Sequence, residues 1–431
     1  MKKLFVLALT CVCCLALALP AMAEVKVGGM ITLDWNYMDR DDARAANANG
    51  AAIATNGMPG VMPNQLNYDD GFEDTRMEFP MPLNFLQVSY ASKDKVVTGL
   101  LRWRLGSAGA LGSTGAINLY YAWINYKFSD QFSMRFGRQN TILAPYSPSQ
   151  YSGWDSWAHI VGIGWGNQNN TSLLDGITAE IKFSPMVSLN LGIFDNDTDN
   201  AEPITPLTNA TPVGAIPATV REENVIPRFD ISLPIHWNWL TIIPSFSYLT
   251  QDYDGVIAGS EDTVDVWAGS ISARAGFGPF SITGEITFGE NMGVGNYNAA
   301  PTYLALSGLG TGIGGPKRYA DANGNFQVAE EDNVLWFIDL AYKFGPATLH
   351  GIYGQNNTDC DGNPAVALDA GEFDIQAKMY GLACPISVGG GFTIRPEIFH
   401  YDYDDSAKWA GVQNLDLGSE TVLAVLFQLY F

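Results

Sequence analysis

"TVLAVLFQLYF", residues 421–431, ends this chain on an aromatic ring. Leu423, Val425, Phe427, Leu429 and Phe431 fall on one side of the stretch, and Val422, Ala424, Leu426, Gln428 and Tyr430 on the other. A period of two is that of a β-strand, here with one uniformly apolar face and one mixed face. Chain ends are ordinarily polar and frayed, so a segment of this kind is expected to be tied into a larger structure.

The same alternation recurs along the chain and predicts sixteen strands, at about 25–37, 75–90, 96–105, 117–128, 131–140, 175–184, 187–194, 224–235, 239–250, 263–277, 280–290, 333–344, 347–356, 373–384, 391–402 and 420–431. Connections alternate between tight and long. "SKDK" (92–95), "SD" (129–130), "PM" (185–186) and "GP" (345–346) are tight, whereas 38–74, 141–174 and 291–332 are long. A soluble sandwich has no reason to keep every second connection short; an up-and-down barrel in an outer membrane does. Strand lengths suit a tilted crossing of a bilayer, which takes about 9–11 residues. Val25, Val27, Ile31, Leu33, Trp35 and Tyr37 share one side of the first strand, opposite Lys26, Thr32, Asp34 and Asn36. Phe128, Phe132, Trp237, Trp239, Phe277, Phe280 and Phe344 bracket the tight turns, as an interfacial aromatic girdle would. The expected fold is all-β: a sixteen-stranded antiparallel transmembrane barrel with long extracellular loops and short periplasmic turns. In a closed barrel the last strand pairs with the first, so that no backbone edge is left in lipid.

The opening "MKKLFVLALTCVCCLALALPAMA" has two lysines, an apolar run and a small-residue end, the layout of a secretory signal with cleavage expected after Ala23. Residues 24–431 then form one barrel domain. Cys11, Cys13 and Cys14 leave with the signal, and Cys360 and Cys384 remain, too few for a disulfide scaffold or a zinc site. On the predicted topology these two lie at opposite ends of the wall and form no disulfide. The net charge of -22 excludes nucleic acid as a partner through its phosphates. No metal and no cofactor are expected.

Parity places a mixed, slightly basic set of charges on the lumenal faces. The candidate pore-lining residues are Arg76, Arg102, Arg104, Arg135, Arg228, Arg274, Arg395, Asp339 and Glu285, with Asp34, Asp230 and Glu397 on the same faces. They either pair across strands and hold the barrel round, or leave arginines such as Arg102 and Arg104 to attract small anionic solutes through their planar guanidinium forks. Most acidic residues lie in the long connections, where they concentrate cations, aid solubility or bridge divalent ions to lipopolysaccharide. Arg138 has the wrong parity for the lumen unless Gly137 marks a bulge.

The alternating final strand with a terminal phenylalanine resembles the Gram-negative outer-membrane porin family, and "RFGRQ" (135–139) is similar to a fifth-strand segment of trimeric porins. That resemblance implies a homotrimer in the outer membrane, in contact with lipid and lipopolysaccharide, assembled by the barrel-assembly machinery and passing small hydrophilic solutes and ions passively. It also implies that the third long connection, 141–174, folds inward and narrows the pore. Tyr146, Trp154, Asp155, Trp157, His159 and Trp165 are then the constriction candidates.

Other motifs carry less. "DNDTDN" (195–200) begins like a calcium loop but lacks the later glycine and glutamate. "GTGIGG" (310–315) has dinucleotide-site spacing without a βαβ unit around it. His159, His236, His350 and His400 show no nucleophile or metal spacing, so no enzyme is expected. A channel specific for small anionic solutes, and a barrel component of a multi-protein outer-membrane complex, remain as alternatives.

Overall fold

The computed structural model describes residues 23–40, 75–78, 84–105, 117–150, 173–195, 221–254, 263–292, 317–320, 326–330, 332–360, 373–403, 407–409, 412–415 and 419–431, and no helix occurs among them. Sixteen wall strands follow one another in order. They are β1 (Ala23–Arg40), β2 (Thr75–Glu78 and Asn84–Ser92), β3 (Val97–Leu105), β4 (Ile117–Lys127), β5 (Phe132–Asn140), β6 (Leu173–Lys182), β7 (Ser188–Asp195) and β8 (Arg221–Ser232). The second half comprises β9 (Leu240–Asp254), β10 (Thr263–Phe277), β11 (Phe280–Glu290), β12 (Asp332–Phe344), β13 (Ala347–Cys360), β14 (Phe373–Ala383), β15 (Phe392–Tyr403) and β16 (Ser419–Tyr430). Every neighbouring pair is antiparallel, and a small hairpin, Lys317–Ala320 with Phe326–Ala329, stands apart from the wall.

Closure occurs where the terminal alternation places it. β16 pairs with β1 from Met30↔Tyr430 to Arg40↔Glu420. Phe431 extends the seam by one more exchange with Gly29: its carbonyl accepts the Gly29 N–H at 3.0 Å, and its N–H donates to the Gly29 carbonyl at 3.2 Å. The final residue therefore saturates the backbone at the seam.

The pleat sorts side chains as the sequence predicts. Val25, Ile31, Leu33, Leu423 and Phe427 are exposed on the outer surface, while Thr32, Asp34 and Asn36 are fully buried on the inner one. Around the short-turn end the rings form a contacting belt: Phe128 on Phe132 with centroids 5.2 Å apart, Trp239 on Phe277 at 5.1 Å and Phe280 on Tyr342 at 4.6 Å.

β2 is described over Thr75–Glu78 and Asn84–Ser92, each stretch paired with β1, and residues 79–83 lie outside the described residues. Two details depart from the pattern. The inner faces of β12, β15 and β16 carry an apolar patch, with Leu335, Phe337, Phe399, Val422 and Leu426 all at 2% exposure or less. The irregularity near Arg138 lies in the partner strand, where the β3–β4 register slips between Arg102↔Tyr121 and Trp103↔Leu119. Gly137, at φ 110°, continues the β5 ladder opposite Trp123. Arg138 keeps its outward parity and pairs with Asp175 at 3.6 Å. Cys360 faces Phe373 at one end of β13, and Ala383, just before Cys384, faces His350. The ten-residue interval from His350 to Cys360 separates them by about 33 Å at strand rise.

Candidate functional site

Residues 141–150, "TILAPYSPSQ", leave β5 and turn against the inner wall. The segment bends over 142–144, with Ala144 in the left-handed region at φ 47°, and belongs to no strand, so its backbone N–H groups need partners outside any ladder. Here those partners are a row of side chains on different strands. The Ile142 N–H donates to Asp230 Oδ2 on β8 at 3.2 Å, and the Ala144 N–H to Ser245 Oγ on β9 at 3.3 Å. The Tyr146 N–H donates to Glu285 Oε2 on β11 at 2.9 Å. Pro148 would be next and has no N–H; the series resumes at Ser149, which donates to Asp339 Oδ2 on β12 at 2.9 Å. From β15, Arg395 Nη2 donates to the Ser149 carbonyl and, at 2.9 Å, to its hydroxyl oxygen, and Gln150 Nε2 donates to the Tyr401 hydroxyl. Within the segment, Leu143 and Ala144 are buried.

The fastening carboxylates are themselves held. Arg228 Nε lies 2.8 Å from Asp230 Oδ1, which also accepts the Ser247 hydroxyl. Ser272 Oγ donates to Glu285 Oε2 at 2.7 Å, and His350 Nδ1 sits 2.9 Å from Asp339 Oδ1. Arg395 Nε donates to Glu397 Oε1.

The β3–β5 stretch of wall, outside the arc that the segment touches, is built differently. Arg102 donates Nε and Nη2 to Gln87 Oε1 at 3.0 and 2.7 Å, and lies 4.1 Å from the Phe85 ring centroid and 5.0 Å from that of Tyr121. Arg135 stacks on Trp123 at 4.3 Å. Arg274, on β10, stacks on Tyr146 at 4.6 Å and donates to Thr283 Oγ1. Burial pushes the Tyr146 hydroxyl above its ordinary value, and the Arg274 guanidinium opposes that shift. Among the described residues Arg102, Arg135 and Arg274 have rings and neutral oxygens as partners and no carboxylate in ion-pair range. Stacking on a ring leaves the guanidinium charge without a counter-ion, although Arg102 spends Nε and Nη2 on Gln87 and the Nε of Arg135 is buried.

Parity brings Arg102, Arg104, Arg135, Arg228, Arg274, Arg395, Asp339 and Glu285 to the inner face, but in three different conditions. Arg102, Arg104 and Arg135 are half-buried and Arg274 is exposed, while Arg228 and Arg395 are enclosed at 0% and 4% exposure. Asp339 and Glu285 are engaged by the inward segment. Arg76 is described by its backbone register alone, opposite Met38. Of the constriction candidates Tyr146 lies in the fastened segment; Trp154, Asp155, Trp157, His159 and Trp165 lie outside the described residues. Sequence reasoning gave the fastening role to none of these side chains. Its signal was a pair of alternating motifs, "RFD" (228–230) and "RPE" (395–397), each with arginine and acid on one strand face.

No protein-family model matches the chain, and no curated protein matches it. Solved structures do. The outer membrane channel DcaP of Acinetobacter baumannii superposes with a TM-score of 0.61 at 13% identity, over 96% of this chain and 98% of that one. This is the fold of the porin barrels. An anion-selective porin from Comamonas acidovorans gives a TM-score of 0.53 at 11% identity, over 95% and 100% of the two chains. OmpF of Salmonella typhi, in complex with daunomycin, gives 0.51 at 10% identity, over 94% and 97%. Identities this low establish a shared porin architecture and nothing finer.

Proposed function

We propose that this protein is an outer-membrane diffusion channel through which small hydrophilic solutes and ions pass down their gradients, with residues 141–150 narrowing the passage. The observation that carries the reading is the fastening of that segment to side chains on β8, β9, β11, β12 and β15. A chain held along the inner wall by its own backbone N–H groups takes up lumenal cross-section. An apolar exterior ringed by aromatics suits a bilayer, an outer-membrane location accords with the likeness to the outer membrane channel DcaP, and homotrimerisation is what the resemblance to the porin family implies.

Within this class a preference for anionic solutes is favoured by one contrast. Asp230, Glu285 and Asp339 each accept a backbone N–H, which offsets part of their charge, whereas among the described residues Arg102, Arg135 and Arg274 have no carboxylate within ion-pair distance to offset theirs. Screening over about 10 Å confines the acidic long connections to an influence on the mouth. Single-channel recording in planar bilayers under a salt gradient tests both parts. A reversal potential of anionic sign is expected, moving toward zero in the Arg102→Gln/Arg135→Gln double variant. A cationic sign overturns the preference, and bilayers that stay electrically silent overturn the channel.

A further inference from the structure

We propose that Arg228 and Arg395 are positioning residues that set the width of the passage, each acting with the acid two places further along its strand; this rests on reading 141–150 as the constriction. Residues i and i+2 project from the same face of a strand about 7 Å apart, close enough for a guanidinium to fold back on a carboxylate. Both pairs do so and both are enclosed: Arg228 and Asp230 at 0% exposure, Arg395 and Glu397 at 4%. A charge so enclosed must be compensated locally, and that requirement fixes the geometry of each pair.

The two pairs hold the segment by opposite polarity. On β8 the Arg228 guanidinium holds both oxygens of Asp230, Nε on Oδ1 at 2.8 Å and Nη2 on Oδ2 at 3.3 Å, with the Ser247 hydroxyl on Oδ1; so fixed, Oδ2 also accepts the Ile142 N–H at the start of the segment. On β15 the acid occupies Nε of Arg395, which turns Nη2 to the carbonyl and hydroxyl oxygens of Ser149 near the end. One clamp offers an acceptor to a backbone donor, and the other offers donors to backbone and side-chain acceptors. Neither arginine presents its charge to a passing solute. Width and charge preference are thereby assigned to different residues: the enclosed pairs govern size, and Arg102, Arg135 and Arg274 govern sign.

The test compares Arg395→Met/Glu397→Gln, which removes the second pair without orphaning a charge, with the milder Ser149→Ala and with Tyr146→Ala as a probe of the constriction itself. Each is purified as the full barrel, folding is checked by heat-modifiable gel mobility, and two quantities are read: the size limit for neutral sugars in liposome swelling, and the reversal potential in a salt gradient. The double variant is expected to admit larger sugars and to raise conductance about 1.5- to 2-fold, with the reversal potential unchanged; Ser149→Ala should shift the limit in the same direction, by less. Should the double variant fail to fold, Ser149→Ala alone decides. A moved reversal potential with an unmoved size limit makes Arg395 a lining charge and overturns the proposal. If Tyr146→Ala changes the size limit and the clamp variants do not, the clamps are refuted and the constriction stands; if none of the three changes it, the constriction reading falls with them.

Discussion

Gly29 and Phe431 meet at the seam, and the fit between them depends on what glycine lacks. A Cβ on Gly29 would stand 2.6 Å from Cζ of the Phe431 ring and 2.7 Å from the Phe85 carbonyl oxygen. The ring can turn aside; the backbone carbonyl cannot. Gly29→Val is expected to destabilise the barrel by about 1–3 kcal/mol, the usual range for forced overpacking. Urea unfolding in detergent or lipid, compared with the parent protein, measures it, and an unchanged midpoint would show that the seam is looser than these distances imply. The same logic operates inside the wall, where the fully buried Phe194 ring lies over Gly176 and Gly192.

At the scale of elements, the β2–β3 hairpin shows how a short turn is fixed. Asp94 Oδ1 accepts the Ser92 hydroxyl at 2.6 Å and the Val96 N–H at 3.2 Å, and Lys95 takes up a left-handed conformation at φ 58°. The Ser92 hydroxyl, followed by the Val96 N–H, holds the Asp94 carboxyl below its ordinary value. A folded-state value below the unfolded one contributes stability that is present above the unfolded pKa, about 3.9, and is lost as pH falls through the folded value. Asp94→Asn should therefore be less stable than the parent at pH 7, with the gap shrinking as the pH falls below the unfolded pKa and through the lower folded value. A gap independent of pH would mean that the carboxylate's charge has no part in the turn. The strand elements bear a different constraint: "RFD" and "RPE" place two opposite charges on one inward face, and their enclosure is tolerated because each charge has its counter-ion two residues away.

For the whole molecule, the deciding contrast is between the two sides of one wall. Ile271, midway along β10, is 49% exposed and points outward, while Ser272 beside it is fully buried within. If the exterior faces lipid, Ile271→Arg at mid-wall should cost about 2–4 kcal/mol in a bilayer, falling to about 0–1 for a comparable change near either rim. Refolding titrations into liposomes with arginine placed at successive outward positions would give this depth profile. A flat profile would remove the membrane from the account, since an aqueous surface penalises arginine equally at every height.

The strand order, the inside and outside of each strand and the closure at Phe431 were all legible in the sequence, because side-chain direction in a strand is local: parity alone assigns Leu33 outward and Asp34 inward. Parity could bring Arg102 and Arg395 to the same lumen but could not tell an arginine stacked on Phe85 from one enclosed against Ser149. That difference depends on where residues 141–150 run after leaving β5, through hydrogen bonds to partners 88 to 251 residues further along the chain. Contacts between segments so distant are settled by the closed geometry of the barrel, which only the folded chain possesses.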